Sequence, residues 1–492
     1  MTSEATRPEP RPLNGRKRAI TTAGVLLALL LASVDSAIVS TALPRIVEDL
    51  GGAALYAWPG GAFMGAAAVM LPIGGKLGDI FGRKLFMLVG LTGFVASSAL
   101  CGIAGSMVAL VVFRAVQGVF GGMLLVTMFT VIADIHQGES RARAQGLASA
   151  VFGIGSVVGP PIGGFITDAL GWRWIFYVNI PFGLLALAAL VAVPHVSSDA
   201  DWRSIDFPGV LTLIGGIVPL LCGLSVLNSA SGVSPTVLLL FAVGLVSLGC
   251  FVFVELRVAD NPVVPLGIFR VNQVTVLVVV GFLSNFGMLA GSYYAPLLYQ
   301  GMLGTSASQA GNWLIPMMLA LIVGSTLSGR IFPRIPRYRF FLTGVLVVLM
   351  VALWSLSRVG PDTAAWLPMI ALACCGAALG AIFPVLTTVV QSSVVPERLG
   401  VATSQISFWR ALGGPVALAV LGVFVGSGIG TSGEPATVST AMSGVFLTAS
   451  GVVAVAAVAS LLLREVPLGG SEKAAREEAA GAEAAGADSG RD

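Results

Sequence analysis

Charge is scarce in this chain. Asp, Glu, Lys and Arg make up 10% of its 492 residues, against about 25% in an ordinary soluble domain. That shortage excludes a soluble globular enzyme, a disordered protein and a nucleic-acid-binding domain. The net charge of +3 is too small to imply a polyanionic partner. Histidine is scarcer still: His136 and His195 are the two in the chain, each in a short polar connection, and two isolated histidines build no metal site. The five cysteines, Cys101, Cys222, Cys250, Cys374 and Cys375, lie in or beside apolar stretches. Their spacing fits neither a metal site nor a disulfide framework, and they read as small apolar fillers. There is no Walker loop, no paired histidine and no nucleophile triad. Neither an enzyme nor an ATP-driven pump is expected, and no cofactor.

What the chain has in abundance is apolar residues, at 56%, with 62 glycines and 26 prolines. Small residues let membrane helices approach closely, and breaks by Gly and Pro are tolerated where neighbouring helices or a wet cavity re-satisfy the backbone. The expected fold is an all-α integral membrane protein. A polar tail over residues 1–18 ends in Arg16, Lys17 and Arg18. The apolar run that follows is longer than the roughly 7–15 residues of a signal-peptide core, so it reads as an uncleaved first span. A span needs about 20 apolar residues, and fourteen stretches qualify. They begin near residues 19, 56, 85, 107, 143, 173, 207, 236, 273, 309, 340, 364, 399 and 440. Without the pair 207–228 and 236–256 the count is twelve.

Arg and Lys placement orients these spans. With the N-terminus cytoplasmic, all but five of the 27 basic residues fall in cytoplasmic loops and tails. Arg45, Arg173 and Arg358 lie in outer loops, and Arg114 and Arg410 lie inside spans. Both termini are therefore expected in the cytoplasm, with an even number of spans in the plasma (inner) membrane. The tail over 465–492, rich in Ala, Gly and Glu, reads as disordered.

An internal repeat is present. The connection Gly75–Lys84 (GKLGDIFGRK) is echoed by Gly329–Arg337 (GRIFPRIPR), and Gly159-Pro160 by Gly414-Pro415. The offsets of the two pairs agree to within one residue. Parallel duplicated halves place a substrate site between them near the bilayer midplane. The expected division is a six-helix bundle over 19–194, two additional helices over 195–272, and a second six-helix bundle over 273–464.

Asp35 is the one carboxylate deep within a span; Asp134, Asp168, Asp206 and Glu255 fall at helix ends, where water reaches them. A charge at the bilayer centre costs about 2.5–3.5 kcal/mol on insertion scales. A carboxylate sheds that charge by taking up a proton, which makes Asp35 a candidate proton carrier. The alternative is a helix-bonded Asp that only fixes packing.

Several motifs resemble a known family. The connection Gly75, Gly78, Asp79, Gly82, Arg83 and Lys84 resembles the loop signature of the major facilitator superfamily, with Ile80 where a basic residue is usual. Gly155, Gly159, Pro160, Gly163 and Gly164 resemble the antiporter motif of proton-driven drug exporters. Val34–Pro44 and Trp172–Pro181 are similar to signatures of the fourteen-span drug:proton antiporter family. The resemblance runs over about residues 19–465. It implies a major facilitator fold of two pseudo-symmetric six-helix bundles with two inserted helices, fourteen in all.

The resemblance also implies roles. Arg114, in the run RAVQG, resembles the superfamily's proton-transfer motif, and Arg410 is the corresponding cation of the second half. A guanidinium near a carboxylate favours proton release, so moving it tunes that release. Asp79, Arg83 and Lys84 are expected to latch the cytoplasmic gate by charge-assisted bonds made in one conformation and broken in the other. The glycines of the antiporter motif give span 5 a smooth face, and Pro160 bends it. Phe286, Met288, Tyr293, Tyr294 and Trp409 are candidate linings of a substrate cavity. The implied activity is proton-coupled efflux of small amphipathic drugs or antibiotics, by a protein acting as a monomer in the bilayer. A dedicated exporter of one metabolite, antibiotic or lipid is the alternative.

Overall fold

The computed structural model describes residues 15–136, 139–190, 206–229, 234–258, 264–335, 337–360, 363–364, 366–394, 399–425 and 435–465. The N-terminal tail to residue 14, His195, the tail beyond 465, and the side chains of Gly75, Lys76, Asp79 and Asp134 lie outside the described residues.

Among the described residues the chain is helical throughout. The helices are α1 (Gly15–Leu50), α2 (Trp58–Phe81), α3 (Arg83–Gly102), α4 (Met107–Ile135), α5 (Glu139–Leu170), α6 (Trp174–Tyr177), α7 (Asn179–Leu190), α8 (Phe207–Ser229) and α9 (Pro235–Arg257). Then come α10 (Asn272–Leu289), α11 (Ala295–Leu303), α12 (Ala307–Trp313), α13 (Ile315–Ile331), α14 (Tyr338–Leu356), α15 (Trp366–Ser393), α16 (Leu399–Gly422) and α17 (Pro435–Ser460). A helix lies at each of the fourteen expected stretches, and 12 are long and apolar enough to cross a membrane. Trp174–Leu190 is shorter, and α16 is not among the 12.

Local chemistry sets the breaks. One residue, Gly82, joins α2 to α3 at φ 84°, a left-handed conformation that favours glycine. Ser106 and Ser234 cap α4 and α9 by accepting backbone N–H bonds from Ala109 and Val237. Ser306 and Gln309 form a reciprocal capping box that starts α12. Between α10 and α11 the chain makes a π-helical turn over Ala290–Tyr294, a feature frequent at functional sites.

The helices pack as two groups and a pair. In the first group α2 packs on α4, α1 on α5 and α7, and α3 on α4. In the second, α13 packs on α15, α14 on α15 and α17, and α10 on α16 and α17. Helices α8 and α9 pack on each other and meet the rest mainly where α8 touches α16 and α2.

Helix α1 meets the π-helical turn and α11 across the groups, and two glycine-lined seams join them as well. At one, α5 meets α12: a methyl group on Gly164 would strike the Ala307 carbonyl, and one on Gly311 would lie 2.5 Å from the Pro160 carbonyl. At the other, α2 meets α16, with Gly65 against Pro415 and Gly61 against Leu418. The Gly-Pro pairs matched by the repeat, Gly159-Pro160 and Gly414-Pro415, thus stand at the two seams. These contacts lie between the middle of the molecule and the end that carries the 51–57 connection.

Two sequence expectations are corrected here. Asp206 and Glu255, expected in water at helix ends, are buried. Backbone N–H groups take the place of water: Asp206 accepts from Gly209 at 2.8 Å, and both Glu255 oxygens accept from Val264 at 3.2 Å.

Candidate functional site

Four helices of the first group bring polar side chains to one point. Asp35 of α1, Ser98 of α3, Arg114 and Gln117 of α4, and Asn179 of α7 are all fully buried, and Phe63 of α2 completes the cluster. Asp35 Oδ2 accepts from Arg114 Nη1 at 2.7 Å. Its Oδ1 accepts from Asn179 Nδ2 at 2.7 Å and from Gln117 Nε2 at 3.1 Å. The carboxylate therefore accepts from three side-chain donors on two helices.

Arg114 is gripped on several sides. Nη1 also donates to Gln117 Oε1 at 2.7 Å, and Nε donates to the Pro59 carbonyl at 3.2 Å. The guanidinium carbon lies 4.2 Å from the centroid of the Phe63 ring, close enough for a cation–π contact. Ser98 ties the second layer: its hydroxyl accepts from Asn179 and Gln117 and donates to the Phe176 carbonyl. The Cys101 thiol reaches Gln117 Oε1 at 3.4 Å, so this cysteine is more than the apolar filler expected of it. Two buried atoms have no partner, Arg114 Nη2 and Asn179 Oδ1. Taking two charges out of water costs several kcal/mol per ion, and this donor set offsets that cost.

The expected antiporter motif sits directly behind Asp35. Gly155, Gly159 and Gly163 face α1: a methyl group on them would meet Ser33 Oγ at 2.6 Å, Ala37 Cβ at 2.7 Å and Thr41 Oγ1 at 2.7 Å respectively. Gly164 and Pro160 face the second group at α12. Helix α5 is thus a spacer between the helix bearing Asp35 and the other half of the molecule.

The remaining expected residues fall elsewhere. Tyr293, in the π-helical turn, donates to the Ser36 carbonyl at 3.0 Å, and its own carbonyl accepts from Tyr56 at 3.0 Å. Tyr294 donates to the Leu418 carbonyl at 2.9 Å. Both tyrosines and Phe286 are buried; Met288 and Trp409 are partly exposed. Arg410 is apart from the Asp35 cluster, with its guanidinium 4.7 Å from the centroid of the Phe383 ring. Gly78 packs under Phe86, and Arg83 and Lys84 open α3.

Gln117, Asn179, Ser98 and Phe63 were not singled out by sequence reasoning. A signal existed: each of the three polar residues interrupts an apolar run, as Asp35 does.

A helical chain with many segments long and apolar enough to cross a membrane is a multi-pass membrane protein. The profile of the Major Facilitator Superfamily matches residues 25–418, and the chain belongs to that superfamily of transporters. It is 35% identical over 407 residues to "Multidrug transporter protein MdtP" of Bacillus subtilis, covering 82% of this chain and 75% of that one. It is also 35% identical over 401 residues to "Multidrug resistance protein 3" of the same organism, covering 81% and 78%. A solved bacterial homologue of the human lysosomal transporter Spinster, described as inward-facing and unoccupied, has the same fold. That match has a TM-score of 0.64 at 18% identity, covering 92% of this chain and 100% of that one.

Proposed function

We propose that this transporter is a proton-coupled exporter of amphipathic drugs or antibiotics, working by alternating access. The observation that carries this reading is the buried Asp35–Arg114 pair. An ion pair sealed at 2.7 Å inside a membrane bundle costs desolvation energy that an apolar pair would avoid, and proton exchange gives that cost a purpose. Asp35 carries the proton, and Arg114 tunes its release. The relatives named as multidrug transporters support the choice of cargo.

The rest of the reading follows the same lines. The two helix groups are six-span halves and α8 and α9 are the inserted pair; fourteen spans put both termini on one side, and the bias of Arg and Lys supports the cytoplasmic one. Asp79, Arg83 and Lys84 latch the cytoplasmic gate. The seams close the end bearing the 51–57 connection, so this conformation is inward-facing. The protein acts as a monomer in the plasma membrane.

The test is drug-panel susceptibility with dye efflux in an efflux-deficient bacterium, with an uncoupler control and Asp35→Asn alongside. Efflux that stops with the uncoupler and is lost in Asp35→Asn is expected. Fully coupled efflux by Asp35→Asn would sink the mechanism. Export of a single compound, with no competition by unrelated dyes, would replace the broad cargo with a dedicated one.

A further inference from the structure

Two arginines lie inside helices that the transport reading takes as spans, α4 and α16, and the fold treats them in opposite ways. Arg114 spends its donors on Asp35, Gln117 and Pro59. Arg410 has five N–H donors and, among the described residues, no hydrogen bond and no ion pair; its one recorded contact is the Phe383 ring at 4.7 Å. A guanidinium in a spanning segment is costly unless it faces water or a partner.

Its place on α16 says which way it faces. Gly414, one turn further along, and Leu418, a second turn on, lie on the same face. That face is the seam: Gly414 lies against Met64 and Leu418 against Gly61 of α2. Along this face Leu418 and Gly414 are buried and Arg410 is partly exposed; in the turn before it Ser407 is exposed and Ile406 is buried. Arg410 therefore stands at the edge of the packed seam. On α15, Phe383, which stacks on Arg410, is partly exposed, and Thr387 and Gln391, one and two turns on, are exposed.

We propose that Arg410 is the binding site for an anionic group on the transported molecule: a carboxylate, sulfonate or phosphate on an aromatic body. The proposal rests on the transport reading above and names its substrate class. A guanidinium fork matches such groups with two parallel hydrogen bonds. The Phe383 ring fixes one face of the guanidinium and leaves its edge for the ligand. The cargo's own charge supplies the counter-ion that the protein withholds. Arg410 thus acts on the substrate, and Asp35 with Arg114 on the proton.

The test uses the purified full chain in phosphatidylcholine nanodiscs. The probes are naphthalene-2-sulfonate, a permanent anion, and its neutral analogue naphthalene-2-sulfonamide, with binding read by calorimetry. Arg410→Gln is expected to weaken sulfonate binding at least about tenfold, as loss of charge-assisted hydrogen bonds does. Sulfonamide binding should stay within about twofold, and Arg410→Lys should recover most of the sulfonate affinity. Arg410→Gln leaves no protein group unpaired, so it is expected to fold. Equal loss of both probes, or of neither, overturns the proposal, as does wild-type protein that binds the sulfonamide and not the sulfonate. Added phosphatidylglycerol should leave sulfonate binding unchanged; if it abolishes that binding, the anion is a lipid headgroup and the proposal fails. Proteoliposomes separate the two readings. Sulfonate that binds through Arg410 but is never moved under a proton gradient defeats the transport reading and spares the site.

Discussion

The hydroxyl of Tyr293 donates a 3.0 Å hydrogen bond to the backbone carbonyl of Ser36, one residue from Asp35. It joins the second helix group to the one helix of the first that carries the buried carboxylate. Tyr293→Phe removes this bond and keeps the ring. The loss of about 0.5–1.5 kcal/mol from this conformation shifts the balance up to about tenfold toward a form open at the 51–57 end. Maleimide labelling of a cysteine placed at Gln300, whose side chain donates to Thr41 across the same interface, should speed up accordingly. Unchanged labelling would show that the contact does not bias the equilibrium.

Asn179 is expected to matter through Asp35. Asn179→Leu removes a 2.7 Å donor to the carboxylate and leaves Oδ1 with Gln117 alone, at a cost of about 1–3 kcal/mol. In an Asp35→Asn background the charge is gone and the penalty should fall by at least half. Thermal unfolding of the four proteins of this double-mutant cycle measures the difference. Strictly additive shifts would mean that Asn179 acts on packing alone.

Gly159 and Gly164 differ by five residues and should give different phenotypes. Gly159 presses on Ala37 within one helix group, so Gly159→Val overpacks that group, lowering stability by about 1–3 kcal/mol. Gly164 presses on Ala307 across the seam. Gly164→Val should leave expression and melting temperature near wild type, and should expose the 51–57 end to labelling. Equal loss of expression in both variants would contradict this division.

The seam can also be locked. Asp168 Oδ2 accepts from the Ser308 backbone N–H at 2.8 Å, across the two groups. In a background with the native cysteines replaced, Asp168→Cys with Ser308→Cys should form a disulfide under mild oxidation. Transport should stop and should return on reduction. A cross-linked protein that still transports at the full rate would rule out separation of this seam during the cycle.

Most of the fold was legible in the sequence, because an apolar run of about 20 residues in lipid has little choice but to be helical. The runs around Val25 and Val274 needed nothing else. Asp35 and Arg114 were legible for the related reason that a charge in such a run is conspicuous. Their neighbours were harder. Gln117 and Asn179 are uncharged, and what makes them part of the site is the convergence of helices that are far apart in sequence. The burial of Asp206 and Glu255 was hidden too, since the backbone N–H groups they accept from, those of Gly209 in the first turn of α8 and of Val264, are brought to them by the fold. Arg114 and Arg410 look alike in sequence, each followed by alanine in a run of small and apolar residues. That one is paired and the other is not depends on what the facing helix supplies.

The Asp35–Arg114 cluster has one anion and one cation, and as a whole it carries no net charge. A membrane voltage has no grip on it in that state. A proton that lands on Asp35 leaves the guanidinium uncompensated, and the cluster becomes a monovalent cation within the bilayer. A potential of 100 mV acts on such a charge with up to about 2.3 kcal/mol. On the proposed coupling, the electrical half of the proton-motive force therefore bears on this cluster when Asp35 is protonated and not when it is ionised.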